Sequence, residues 1–319
     1  MYLEQLNSIN VNENSNVLIT LGDSFVQGHG AYPIEVWKSL NFSKEKQDKE
    51  LCVGSKRFNE LIDLGYKNSF TTLITQMYLK DYIPVNFGYS GNGNRAAVKA
   101  LTTMHPHLNL PIAKNKIVIF YVGQFCRFDF FNNIEINHHN IFNTAWPHNP
   151  PKEMELGRQE LWRGYATEVW NEKTEVLEFI SNAIEVQNWC KLHNARLIYV
   201  NSFEPRFSRE HIINAINTNN ININNTDYSL LPNLIDSIEW DKVMPLPNNH
   251  SSMIDVLNEK EGMNEFINED HHWFGWAQDY CKKNKSFTPE GYFTPCAHPT
   301  VKGHKLIAET IIEYIKNGE

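Results

Sequence analysis

The sequence predicts an α/β fold, a three-layer α/β/α sandwich built on a parallel, doubly wound, flavodoxin-like sheet. Short apolar runs rich in β-branched residues recur at 16–21, 83–87, 116–122 and 195–203. Segments with helical character separate them, and that alternation is the mark of a parallel sheet. The third run, KIVIFYV, is apolar throughout, as a strand covered on both faces must be.

The elements follow in order. Residues 16–21 form a buried strand that stops at Gly22. Residues 25–40 contain helical material around Val26, Ile34, Val36, Trp37 and Leu40, and 42–60 are charged and belong on the surface. A helix is expected over 68–80, capped by Asn68 or Ser69, before the second strand at 83–87 and a helix at 94–104. Residues 131–165 are rich in Asn, His and Pro and read as irregular. One long helix is expected over 166–193, and another helix over 270–284. Residues 204–265 read mostly as loop, including the tract INTNNININN. The chain ends in an amphipathic helix over 300–316 carrying Leu306, Ile307, Ile311, Ile312 and Ile315. No repeat or linker stands out, so a single domain over 1–319 is expected, with a long insertion around 131–290.

Composition narrows the function. The 319 residues carry a formal charge of −8, which argues against nucleic acid and anionic membrane surfaces as partners. The five cysteines are scattered, an odd number without zinc-ligand spacing, so a reducing compartment is expected. The first sixteen residues lack the basic and apolar regions of a secretory signal, and no apolar run approaches the ~20 residues of a membrane span. The expectation is a soluble protein, cytoplasmic or, for a viral chain, in the virion.

In doubly wound sheets the site lies beyond the carboxyl ends of the strands. Three segments there carry chemistry. The first strand runs into Gly22-Asp23-Ser24. A serine at such a turn exposes its hydroxyl at the top of the sheet, and a following helix favours nearby negative charge. An ordinary turn, with Asp23 and Ser24 capping a helix, explains the same tripeptide. The second strand runs into Gly88-Tyr89-Ser90-Gly91-Asn92-Gly93, whose glycines leave backbone N–H groups open to an oxyanion. A phosphate loop would need a Lys-Ser/Thr after the glycines, and none follows. The last segment is His298-Pro299, just before the final helix. A proline there holds His298 in extended or turn backbone, where it can serve as a base brought from far along the chain. His304 falls inside that helix and reads as structural.

Taken together, the three segments resemble the SGNH/GDSL hydrolase family. Gly22-Asp23-Ser24 matches its first block, Asn86 through Ser90-Gly91 its second, and His298-Pro299 with Gly303-His304 its last. The resemblance implies Ser24 as nucleophile, His298 as general base, and an oxyanion hole from the N–H groups of Ser24 and Gly91. It implies an esterase acting through an acyl-enzyme, without cofactor or metal.

The match fails at two places. The family's third block carries an Asn after a Gly, whereas here the third strand ends in Val122-Gly123-Gln124-Phe125-Cys126-Arg127. Gln124, Asn94 or Arg127 can supply the missing donor, and Arg127 can equally pair with Asp129. The Gly123 to Asp129 pattern resembles a divergent branch found among phage and giant-virus proteins. The family also places an Asp three residues before its histidine, and that position is Pro295. A backbone carbonyl, or a carboxylate such as Asp279 or Glu290, is then left to orient His298. The pairs His138-His139 and His271-His272 are adjacent and lack ligand spacing, so no metal is assigned. Trp146, Trp162, Trp170, Trp273 and Trp276 read as cover for the insertion or as a sugar-stacking surface.

The functional expectation is therefore an esterase for short acyl groups, a polysaccharide deacetylase being one form. The alternative is an SGNH-fold binding or structural module, such as a virion component, meeting a protein partner through 131–290.

Overall fold

The computed structural model describes residues 8–39, 56–89, 93–104, 106–125, 128–131, 142–145, 172–204, 207–218, 231–264, 290–294 and 297–318. Four parallel strands form the central sheet in the order β2-β1-β3-β6. They are β1 (Asn16–Gly22), β2 (Tyr82–Gly88), β3 (Asn115–Val122) and β6 (Arg196–Asn201), in register along their lengths. All four expected runs are strands, and the fold is the mixed α/β sandwich the alternation predicted.

Between β1 and β2 lie α1 (Ser24–Gln27), α2 (Ile34–Ser39), α3 (Lys56–Asn68) and α4 (Phe70–Met77). The helical material expected at 25–40 is thus two short helices. Gly28 and Gly30, both with left-handed backbone, and Pro33 part them. Ser69 caps α4 by accepting from Thr72 N. Then comes α5 (Asn94–Lys99), continued by a π-helical turn at Ala100–Met104. A two-stranded antiparallel sheet pairs β4 (Phe128–Phe131) with β5 (Phe142–Ala145), and β5 lies in the stretch read as irregular.

The long helix α6 (Glu172–Leu192) buries Val176, Phe179, Ile180, Ala183, Val186 and Cys190, the three-and-four spacing of one helix face. Since α6 and β6 belong to the sandwich, residues 172–201 inside the span read as an insertion supply core structure. The stretch 204–265 is more ordered than its composition implied. It holds α7 (Arg209–Thr218), α8 (Leu231–Asp236) and α9 (Met253–Glu261). The overlooked signal is a capping box, in which Ser252 and Asp255 satisfy each other's backbone N–H groups, with Gly262 closing the helix in left-handed backbone. The Asn/Ile tract beyond Thr218, the helix expected at 270–284 and the five insertion tryptophans lie outside the described residues. The chain closes with α10 (Val301–Asn317), capped by Thr300.

The strands explain the layering. Val17, Ile19 and Leu21 face one way with Val118, Phe120 and Val122, against α5 and α6. Leu18 faces the other with Ile117, Ile119 and Tyr121, against α1, α4, α9 and α10. Each strand alternates, yet both faces are apolar because both are covered. No helix among the described residues is long and apolar enough to cross a membrane.

Candidate active site

Parallel strands put their carboxyl ends on one edge, and Gly22, Gly88, Gly123 and Ser202 all lie there. Ser24 is the first residue of α1, so its N–H has no intrahelical acceptor. Asp23 caps the helix, its carboxylate accepting from Phe25 N at 2.9 Å. Glycine is required where α1 crosses the sheet. A Cβ at Gly88 would sit 2.3 Å from Gln27 N, and one at Gly22 would sit 2.4 Å from the Val26 side chain. Asn86 secures the approach by donating to Val26 O at 2.7 Å and accepting from Gly88 N at 2.8 Å. The motif asparagine of the second strand thus ties β2 to the end of α1.

His298 arrives from the opposite end of the chain on a tight hairpin. Thr294 N donates to His298 O at 2.8 Å, and His298 N donates to Thr294 Oγ1 at 3.1 Å. Phe293 bridges Pro299, and Ala297 takes a positive φ of 62°. Thr300 closes the foot of this hairpin, donating through Oγ1 to Gly291 O at 2.7 Å while capping α10. So held, His298 Nε2 lies 2.9 Å from Ser24 Oγ. Ser24 is buried and His298 half-buried. An imidazole nitrogen at that distance is in place to accept the hydroxyl proton.

The other expected residues divide. Asn94 is buried, its amide spent on the backbone of Gly123, accepting from Gly123 N at 2.9 Å and donating to Gly123 O at 3.1 Å. It fixes the end of β3. Gln124 is fully buried, and neither end of its amide has a hydrogen-bond partner among the described residues. Glu290 is exposed, and its side chain has no hydrogen-bond or ion-pair partner among those residues, so it is not brought to His298. Gly91, Arg127, Asp279 and Pro295 lie outside the described residues. Among them no group of three His, Cys, Asp or Glu side chains is arranged to hold a metal.

Two residues the sequence reading passed over join this edge. The ring of His29 lies 4.4 Å from that of His298, and burial pushes its pKa down to about 4. Glu204, fully buried beyond β6, accepts from Phe125 N at 2.8 Å and so ties the loop after β3 to the loop after β6. A histidine between two glycines, and a glutamate at the end of an apolar strand, were the available signals. At the opposite edge an open cleft of about 400 Å³ is lined by Lys191, Arg196, Glu239, Asp241 and Lys242. Within it Lys191 pairs with Glu239 at 2.7 Å and Lys242 with Asp241 at 3.0 Å, and Arg196 donates to Ile315 O at 3.3 Å.

No family model matches the chain, and no curated protein does. Among solved structures it is similar to a carbohydrate esterase whose active site is described as displaying divergent catalytic and non-catalytic binding functions. The TM-score is 0.36 at 13% identity, over 96% of this chain and 69% of that one.

Proposed function

We propose that this chain is a serine ester hydrolase for short acyl groups, with acetylated polysaccharide as the substrate class. The 2.9 Å contact between Ser24 Oγ and His298 Nε2, at the carboxyl edge of the sheet, carries this reading. His298 takes the Ser24 proton as Oγ bonds to the ester carbonyl carbon. The oxyanion is held by the N–H of Ser24 and that of Gly91, with the Gln124 amide, which has no partner among the described residues, as a further donor. Collapse of the tetrahedral intermediate breaks the bond to the alcohol, which leaves with the proton from His298. Water, deprotonated by His298, then attacks the acyl-enzyme and frees the acid and Ser24. Asp23 supports Ser24 through the first turn of α1, and Arg127 is assigned to the substrate. A few of Trp146, Trp162, Trp170, Trp273 and Trp276 are assigned to stacking against the sugar. The whole chain acts as one domain, in a soluble compartment.

One observation favours a second reading, a binding or structural module with reduced chemistry. Pro295 stands where the resembled family has its orienting Asp. Loss of that carboxylate costs about four orders of magnitude in a protease triad. Intact mass after incubation with a fluorophosphonate separates the two. A single adduct on wild type and none on Ser24→Ala is the expected result. No adduct on folded wild type favours the module, whose partner is then sought along 131–290.

A further inference from the structure

The direction in which the Gln124 side chain leaves the backbone is set by the two peptide planes that flank it, since each plane fixes one of its torsions. Before Gln124 the hold is double. The sheet carries it as far as Val122, whose O accepts from Ser202 N at 3.1 Å, and Asn94 then accepts from Gly123 N at 2.9 Å. Gly123 also lies against the nucleophile turn, for a Cβ there would be 3.7 Å from Asp23 Oδ2. After Gln124 the ladder has ended. The peptide joining Gln124 to Phe125 donates its N–H to Glu204 Oε2 at 2.8 Å, and the Phe125 ring stacks on Phe179 at 4.4 Å.

Glu204 is itself fixed and wholly buried, where a carboxyl group is seldom found unless it is paired. Asn201, the last residue of β6, accepts from Glu204 N at 3.0 Å and donates to Glu204 O at 2.9 Å. The same Asn201 amide donates to Ser251 O at 2.5 Å, and Ile254 N of α9 donates to Ser202 O at 3.1 Å. The loop that presents Glu204 is therefore braced by both the sheet and α9.

We infer that Glu204 is a positioning residue, whose carboxyl group holds the peptide after Gln124 and so aims the Gln124 amide at the oxyanion. The inference rests on the hydrolase reading of Ser24 and His298, with Gln124 as a donor. A reacting constellation has to be held to within about 0.5 Å of its productive geometry, and supporting hydrogen bonds do that work.

The test is the rate constant of fluorophosphonate labelling at saturating probe, in variants confirmed folded by their unfolding transitions. Glu204→Met keeps the length of the side chain and removes the acceptor, and is expected to slow labelling by about tenfold or more, the scale of a small misplacement. Glu204→Asp, one methylene short of Phe125 N, is expected to be slowed likewise. Glu204→Gln, which keeps an acceptor oxygen at the same reach, is expected to restore most of the rate. In a Gln124→Leu background Glu204→Met is expected to add no further loss, because its effect passes through Gln124. A tie that served stability alone would lower the unfolding midpoint without this pattern. Should Glu204→Met fail to fold, Glu204→Asp takes its place in both comparisons. Labelling of Glu204→Met and Glu204→Asp at the wild-type rate overturns the inference and leaves the Ser24–His298 reading intact. So does failure of Glu204→Gln alongside them, a loss that multiplies with that of Gln124→Leu, or a Gln124→Leu variant as fast as wild type. No adduct on folded wild type overturns both.

Discussion

His298 and His304 leave the same short segment and do opposite work. His298, on the hairpin before α10, keeps one face against Ser24 and is half-buried. His304, inside α10, is fully buried and stacks on Phe70 with rings 6.1 Å apart. Its Nδ1 accepts from Phe70 N at 3.3 Å, an orphan donor in the first turn of α4. Burial pushes the pKa of His304 down to about 3. The difference shows that what a histidine does here is set by the backbone that presents it. An extended residue before a helix can reach across the sheet edge, whereas a residue on the packed face of a helix ties two layers together. The pair therefore predicts a loss of chemistry at one position and a loss of stability at the other.

The largest effect expected is on rate. Ser24→Ala abolishes hydrolysis and labelling, and His298→Ala slows hydrolysis by about four or more orders of magnitude, as removal of such groups does in subtilisin. Turnover of a chromogenic acetate ester by folded protein measures both. His304→Phe, in contrast, keeps the site able to react. A His304→Phe enzyme as slow as His298→Ala would break the comparison.

Acid sensitivity is next. In the unfolded chain His304 titrates near its usual 6.5, and in the folded protein only near about 3. Between those values the unfolded state binds more protons, so stability falls as pH drops below about 6.5 and levels off near 3. His29 adds the same sign between 6.5 and about 4. For His304 the full effect is on the order of 5 kcal/mol. Urea midpoints across this range should fall steeply in wild type and less steeply in His304→Phe. A variant with an unchanged slope would show that His304 is not the titrating group.

His304→Ala is expected to cost about 2–4 kcal/mol at neutral pH, from a core cavity and an unpaired Phe70 N–H. Its urea midpoint should drop, while labelling survives below the transition.

The sequence made the sheet legible because a strand buried on both faces announces itself in one segment. Ser24 and His298 were legible for a different reason, since each follows a local rule about where a strand ends or a helix begins. The tie between Asn94 and the backbone of Gly123 was not legible, because Gly123 is distant in the chain and silent in the pattern. His29 and Glu204 were missed likewise, their significance arising only when separate loops meet. In α9 the capping box was present as Ser252 and Asp255 but obscured by polar surroundings.

The smallest effect sharpens the other asymmetry at this edge, between Asn94 and Gln124. Asn94 has partners at both ends of its amide, and Gln124, fully buried, has none among the described residues. An unsatisfied buried polar group costs about 1–3 kcal/mol, so Gln124 is a burden on the fold unless a ligand uses it. Gln124→Leu keeps the volume and removes the burden. Its unfolding midpoint is expected to rise by about 1 kcal/mol or hold, while the acylation rate falls by about a hundredfold, the size of one lost oxyanion donor. Asn94→Asp reverses this. Its second oxygen faces the Gly123 carbonyl, so stability is expected to fall by about 1–3 kcal/mol with little change in the folded enzyme's rate. If Gln124→Leu is destabilised and reacts normally, Gln124 is part of the packing, and the oxyanion hole must be completed by another donor.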